Sequence, residues 1–106
     1  MADQSDAVQV VDLPAENRFV VRIDGTEAEL VYRVRGDQFL LIHTEVPQAL
    51  GGRGIAGQLV RAALRRAEAD HLTIVPWCPY ARRWLKEHPD EIGGVPVDFK
   101  TPPPPE

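Results

Sequence analysis

Phe39-Leu40-Leu41-Ile42-His43-Thr44-Glu45-Val46-Pro47, followed closely by Gly51-Gly52-Arg53-Gly54-Ile55-Ala56, decides how this chain folds. The first segment is rich in β-formers and is stopped by a proline. The second is a glycine turn that opens into a helical pattern. Gln58, Arg61, Arg65 and Glu68 share one helical face, while Ala56, Leu59, Val60, Ala63 and Ala67 share the other. Strand, glycine turn and helix start form a unit with a physical consequence. The first amides of a helix have no carbonyl partner within it, and the helix dipole adds partial positive charge there. An anion fits such a place, and phosphate is the first candidate.

Working outward, residues 8–13 read as a short edge strand ended by Pro14. Residues 18–23 form a second strand, and Asp24-Gly25 is a hairpin signal. Residues 28–35 alternate, with Leu30, Tyr32 and Val34 on one side. Gly36-Asp37 makes another tight turn into the strand over 38–46. These predict an antiparallel meander. The helix runs from 54 to about 70, and Leu72-Thr73-Ile74-Val75 is a short apolar strand stopped by Pro76. A strand–helix–strand crossover places that strand parallel to its predecessor. Pro79 opens a second helix that ends before His88-Pro89. Beyond Gly93-Gly94, residues 95–99 form an apolar patch that returns to the body. The fold class is α/β (α+β): a mostly antiparallel sheet with a central parallel strand pair and two helices. One domain spans 8–99, between a loose N-terminal tail (1–7) and a proline-rich tail (100–106).

Bulk properties narrow the function classes. A chain of 106 residues builds one small core. With 43% hydrophobic and 26% charged residues it has an ordinary globular composition. The net charge of -4 argues against a general nucleic-acid binder, and no apolar run spans a membrane. Cys78, the sole cysteine, has no partner for an internal disulfide, which fits a reducing, cytoplasmic compartment. His43, His71, Cys78 and His88 lack close metal-ligand spacing, so no metal site is expected.

The segments His43-Thr44-Glu45-Val46-Pro47, Gly52-Arg53-Gly54-Ile55-Ala56 and Val75-Pro76-Trp77-Cys78-Pro79-Tyr80, in that order, resemble a subfamily of very small proteins in the GNAT acetyltransferase superfamily. The resemblance implies an acetyl-CoA-dependent N-acetyltransferase. Backbone groups of residues 42–46, Thr44 and Val46 among them, would pair with the pantetheine arm. Gly51, Gly52, Gly54, Ile55 and Ala56 would hold the pyrophosphate through amides, with Arg53 adding charge. The thioester would lie where the parallel strands splay, near His43, Glu45 and Cys78. The chain departs from the wider superfamily at two positions: Gly51 stands where Arg or Gln is usual, and Leu85 stands near the place of a usual tyrosine acid.

Catalytic candidates are His43, Glu45, Cys78 and Tyr80. His43 is either a general base or a half-exposed histidine bonded to Glu45 or backbone. Cys78 is a buried hydrophobe, an acyl-accepting nucleophile, or a proton donor to the departing thiolate. Tyr80 and Trp77 flank the pocket or pack its rim. His71 and His88 cap helix ends. The expected acceptor is an unidentified amine, and a chain this short leaves the acceptor side open, which suits an amine of a protein or peptide. The alternative class is a CoA or acyl-CoA-binding module without catalysis that docks to a partner. A third is an interaction protein that uses residues 102–105 as a linear motif.

Overall fold

A computed structural model describes residues 8–104. The expected N-terminal tail (1–7) and the last two residues of the proline-rich tail lie outside them. The elements follow the order β1 (Val11–Leu13), β2 (Arg18–Ile23), β3 (Thr26–Arg35), β4 (Gln38–Glu45), α1 (Ile55–Asp70), β5 (Thr73–Pro76), α2 (Pro79–Glu87) and α3 (Pro89–Ile92). The five strands form one sheet in sequence order. β1 to β4 are antiparallel neighbours, while β4 and β5 run parallel. The expected meander and parallel pair are therefore present, but the pair lies at the end of the sheet and not at its centre, because β5 is added outside β4 as the last strand. Two helices were expected, and the third is a single short turn begun by Pro89. Val97 bridges Ile74 in parallel, which brings the 95–99 segment back to the sheet edge.

Both long helices join one core. Phe19, Val21, Ala28, Leu30, Tyr32, Phe39, Leu41 and Ile74 present the inner face of the sheet. Ile55, Leu59, Val60, Ala63 and Ala67 of α1 and Ala81, Trp84 and Leu85 of α2 cover it. Burial of these apolar side chains drives the fold, at about 25 cal/mol for each Å² removed from water. No helix among the described residues is long and apolar enough to cross a membrane.

The period of two breaks inside β4. Tyr32 pairs with Leu41 but Val31 pairs with His43, so Ile42 is an extra residue with no partner across the ladder. This β-bulge resets the alternation. Phe39 and Leu41 face the core, and without the bulge His43 would follow them inward. With it, Thr44 shares the core face of its partner Leu30, while His43 and Glu45 share the outer face with Val31 and Glu29. The alternation read over 43–46 is as expected. Ile42, expected on the apolar face, is instead one of the exposed large hydrophobic residues.

A polar knot fastens the far edge. The Tyr32 hydroxyl donates to the Asp12 carboxylate, and Arg66 of α1 donates to the Tyr32 oxygen at 2.7 Å and to Asp12 at 2.8 Å. Tyr32 also packs between Phe19 and Phe39, each at a ring separation of 4.9 Å. Burial first, and the Asp12 carboxylate second, push the Tyr32 phenol from 10.0 up to about 12. A phenol with a raised folded-state pKa contributes stability that is whole below the ordinary tyrosine range and disappears as pH climbs through the folded value. The stability gap between wild type and Tyr32→Phe should stay constant up to pH about 10 and close toward pH about 12, read as urea midpoints. A gap unchanged across that window would contradict the role given to the knot.

Candidate functional site

The parallel pairing of β4 with β5 ends abruptly. Its register runs from Gln38 opposite Thr73 to Leu41 opposite Pro76 and stops there. The Leu41 carbonyl closes the pair by accepting two amides, from Trp77 at 3.0 Å and Cys78 at 2.8 Å. Pro79 then starts α2, and its fixed φ and missing N–H turn the chain away from the sheet. Beyond this point His43, Thr44 and Glu45 pair only with β3 among the described residues, and Ile42 is the unpaired bulge. Their other edge is open to hydrogen bonding by an extended ligand, as any unpaired strand edge is.

The glycine turn stands directly after this open edge. A 3₁₀ turn, Gln48–Leu50, is closed by Leu50 donating to the Pro47 carbonyl at 2.9 Å and Gly51 to Gln48 at 3.0 Å, with Leu50 buried as the anchor. Gly52 and Gly54 have φ values of 78° and 70°, a region that disfavours any residue with a Cβ. A Cβ at either position would meet nothing within 4 Å, so the space over both is open. Gly54 is the N-cap of α1, with no side chain closing it. The first helical bond runs from Gln58 to the Gly54 carbonyl at 3.2 Å, so the amides of residues 55–57 precede any partner in the helix. Helix-start donors beside an open glycine turn suit a phosphate group. Arg53 lies exposed beside them.

The bulge distributes the predicted catalytic residues over two faces. On the helix side, Thr44 Oγ1 lies 3.1 Å from Cys78 Sγ, which spans the point where the strands part. Cys78 is only 3% exposed and is the N-cap residue of α2. Tyr80, in the first turn of α2, is part-buried, and that burial raises its phenol above the ordinary range. On the outer face, His43 Nε2 lies 3.6 Å from Glu45 Oε1, and both side chains are exposed. Glu29 joins them from β3, the three donor atoms lying within 4.8 Å of one another. Arg18 holds Glu29 at 2.9 Å and Glu27 at 2.7 Å, and the hydrogen bonds to Glu27 from Arg18 and then from Arg22 lower the Glu27 carboxyl. His43 and Glu45 are thus together, Thr44 and Cys78 are together, and the sheet separates the two pairs.

Other sequence candidates have structural places. His71 ends α1 at a φ of 57°, and His88 ends α2 with Nδ1 2.8 Å from the Trp84 carbonyl. Leu85 is fully buried in the core. Arg61 pairs with Glu91 at 3.0 Å, and Arg66 belongs to the Tyr32 knot. The Trp77 indole donates to the Thr101 carbonyl at 3.0 Å, holding the chain after Phe99 beside β5. Two residues escaped the sequence reading. Glu29 lies on another strand and meets His43 only through pairing, so no spacing announced it. Gly57 had a signal: a glycine in the first turn of a good helix disfavours it by about 1 kcal/mol against alanine and marks a close approach. Trp84 fills that approach.

The profile of the GCN5-related N-acetyl-transferase family matches residues 18–93. Protein NATD1 of Gallus gallus is 36% identical over 92 residues, covering 84% of each chain. Protein NATD1 of Homo sapiens is 36% identical over 90 residues, covering 82% of this chain and 80% of that one. A GCN5-like protein from Staphylococcus aureus, solved by NMR, superposes with a TM-score of 0.66 at 25% identity, covering 88% of this chain and 93% of that one. The chain belongs to the GCN5-related N-acetyltransferase family.

Two outcomes test this geometry. Gly54→Ala meets no steric obstacle, so its cost is the left-handed backbone alone, about 1–2 kcal/mol of unfolding free energy in a urea titration. A neutral substitution would contradict the left-handed cap. Cys78 should react with a water-soluble thiol reagent far more slowly in the native protein than in urea, since its sulfur is buried. Equal rates would contradict its placement.

Proposed function

We propose that this family member transfers an acetyl group from acetyl-CoA to the amine of a protein or peptide. The observation that supports this most is the succession of the open β4 edge and the uncapped glycine turn, since residues 42–46 lead through that turn to the free amides of 55–57. An extended amide-bearing arm suits the first and a pyrophosphate the second. The outer sheet face beside His43 and Glu45 is exposed, which suits an amine carried on a larger molecule.

Acetyl-CoA supplies an acetyl group already activated as a thioester. In this reading His43, with Glu45 beside it, takes a proton from the acceptor ammonium, so that the nitrogen lone pair attacks the carbonyl carbon. A strand N–H near Val46 receives the charge that develops on the carbonyl oxygen. The C–N bond forms, the nitrogen sheds its second proton to solvent, the C–S bond breaks, and Cys78 or Tyr80 gives a proton to the departing sulfur and regains one from solvent. The burial of Cys78 under Thr44 favours a proton-donor role over acylation. Leu85, buried near the place where the wider superfamily carries its acid, supports the second reading, a CoA-binding module without turnover.

Calorimetric titration with acetyl-CoA and CoA should give saturable binding in the wild type and none in Gly54→Glu, which sets a carboxylate among the donors. Arg53→Ala should weaken binding by about five-fold, the size of one exposed charge contact. Given binding, acetyl transfer to a peptide library should be lost in His43→Ala and reduced in Cys78→Ala, with no acetyl mass on Cys78 during turnover. Absence of binding would remove both readings. Binding without transfer to any amine would leave the module, and an acetylated Cys78 would replace the direct route.

A further inference from the structure

Three side chains converge on the outer face of the sheet. Glu29 of β3 and His43 and Glu45 of β4 each bring one donor atom, and the three atoms lie within 4.8 Å of one another. The register puts them there. Glu29 pairs directly with Glu45, and His43 stands on the next rung of the same face, opposite Val31. The bulge at Ile42 is the condition for this, since an unbroken strand would turn His43 inward.

Exposed carboxylates alone are no sign of a metal, but this group differs from a plain acidic patch. It contains an imidazole whose nitrogen is free. His43 Nε2 is 3.6 Å from Glu45 Oε1, too far for a hydrogen bond, and no other described residue engages it. Glu29 and Glu45 are like charges directly opposite each other, which destabilises a sheet unless a cation compensates. Arg18 reaches Glu29 at 2.9 Å, whereas Glu45 has no Lys or Arg partner among the described residues. Glu16, Glu27, Glu29 and Glu45 share only Arg18 and Arg22, so the patch keeps a negative excess. Arg18 holds Oε1 of Glu29 and leaves Oε2 free, and an outer partner of this kind orients a metal-binding carboxylate.

One imidazole nitrogen and two carboxylate oxygens suit a borderline divalent ion such as Zn²⁺. Ligands about 2.0–2.2 Å from a tetrahedral ion stand roughly 3.3 Å apart. His43 and Glu45 are already at 3.6 Å, and the long Glu29 side chain closes its distance by rotation. The hard ions Mg²⁺ and Ca²⁺ require more oxygen ligands than these residues supply.

We propose that Glu29, His43 and Glu45 form a binding site for a zinc-class divalent cation, with water completing the coordination. The ion occupies the Nε2 lone pair that His43 needs as a base, so metal binding and acetyl transfer exclude each other. That consequence rests on the function proposed above, whereas the site itself does not.

The test titrates Zn²⁺ into metal-free full-length protein by calorimetry, in a non-chelating buffer, and follows the histidine ring resonances by NMR. One ion should bind and move the His43 ring signals, leaving those of His71 and His88 in place. Glu29→Gln and His43→Ala should each weaken binding by at least about ten-fold, the low end for losing even an outer-sphere partner of a metal. Cys78→Ala should leave affinity unchanged, and Mg²⁺ should not bind. Should a variant fail to fold, the resonance shifts of the wild type still decide. Absence of Zn²⁺ binding, equal affinity in Glu29→Gln, or shifts at His71 or His88 in place of His43 would overturn the site. Given transfer, Zn²⁺ should inhibit the wild type over the concentrations at which it binds, while Glu29→Gln should acetylate normally and resist inhibition. Undiminished transfer with the ion bound would overturn the masking of His43. Zn²⁺ held at these residues in a chain that acetylates no amine would sink the enzyme reading and leave the metal site standing.

Discussion

The Leu41 carbonyl is the point on which the rest of this small molecule depends. It ends the parallel pairing of β4 and β5 by accepting the amides of Trp77 and Cys78 together. Two prolines make the ending irreversible: Pro76 has no amide to continue the ladder, and Pro79 commits the next residues to a helix. Had pairing continued, residues 42–45 would be an interior strand with nothing to offer a ligand. Because it stops, β4 keeps one satisfied edge against β3 and one open edge. The fold thus generates a strand-shaped binding place from the absence of a strand.

The bulge at Ile42 acts on the same few residues in the perpendicular direction. The end of β5 decides which edge is open, and the bulge decides which side chains face which way. Thr44 is sent to the core side, where it meets Cys78, and His43 and Glu45 are sent outward to meet Glu29. One inserted residue therefore converts a plain amphipathic strand into one with chemistry on both faces. The knot of Tyr32, Asp12 and Arg66 holds the other end of the sheet against the C-terminal half of α1.

Much of this was legible in the residues. The strands at 18–23 and 38–46, the hairpin at Asp24-Gly25, the helix after Gly54 and the parallel return through Ile74 each carry a local signal in period, turn residue or proline. The family was legible too, because its motifs fall on turns and strand ends where few residue types fit. What stayed hidden depends on pairing between distant segments. The bulge leaves no mark in a continuous run of apolar and polar strand residues, Glu29 becomes a neighbour of His43 only across a ladder, and the Tyr32 knot joins residues from three elements. Gly57 sits between these cases: its cost within a helix was visible, but the Trp84 ring that explains it was not.

Backbone amide hydrogen exchange with and without acetyl-CoA tests the central claim most directly, since that claim concerns unpaired N–H groups. The account predicts added protection confined to residues 42–46 and 55–57, with little change in β1, β2 and the rest of α1. Protection centred instead on the cleft between Arg61, Glu91 and Gly94, with the β4 edge and helix start unchanged, would contradict it.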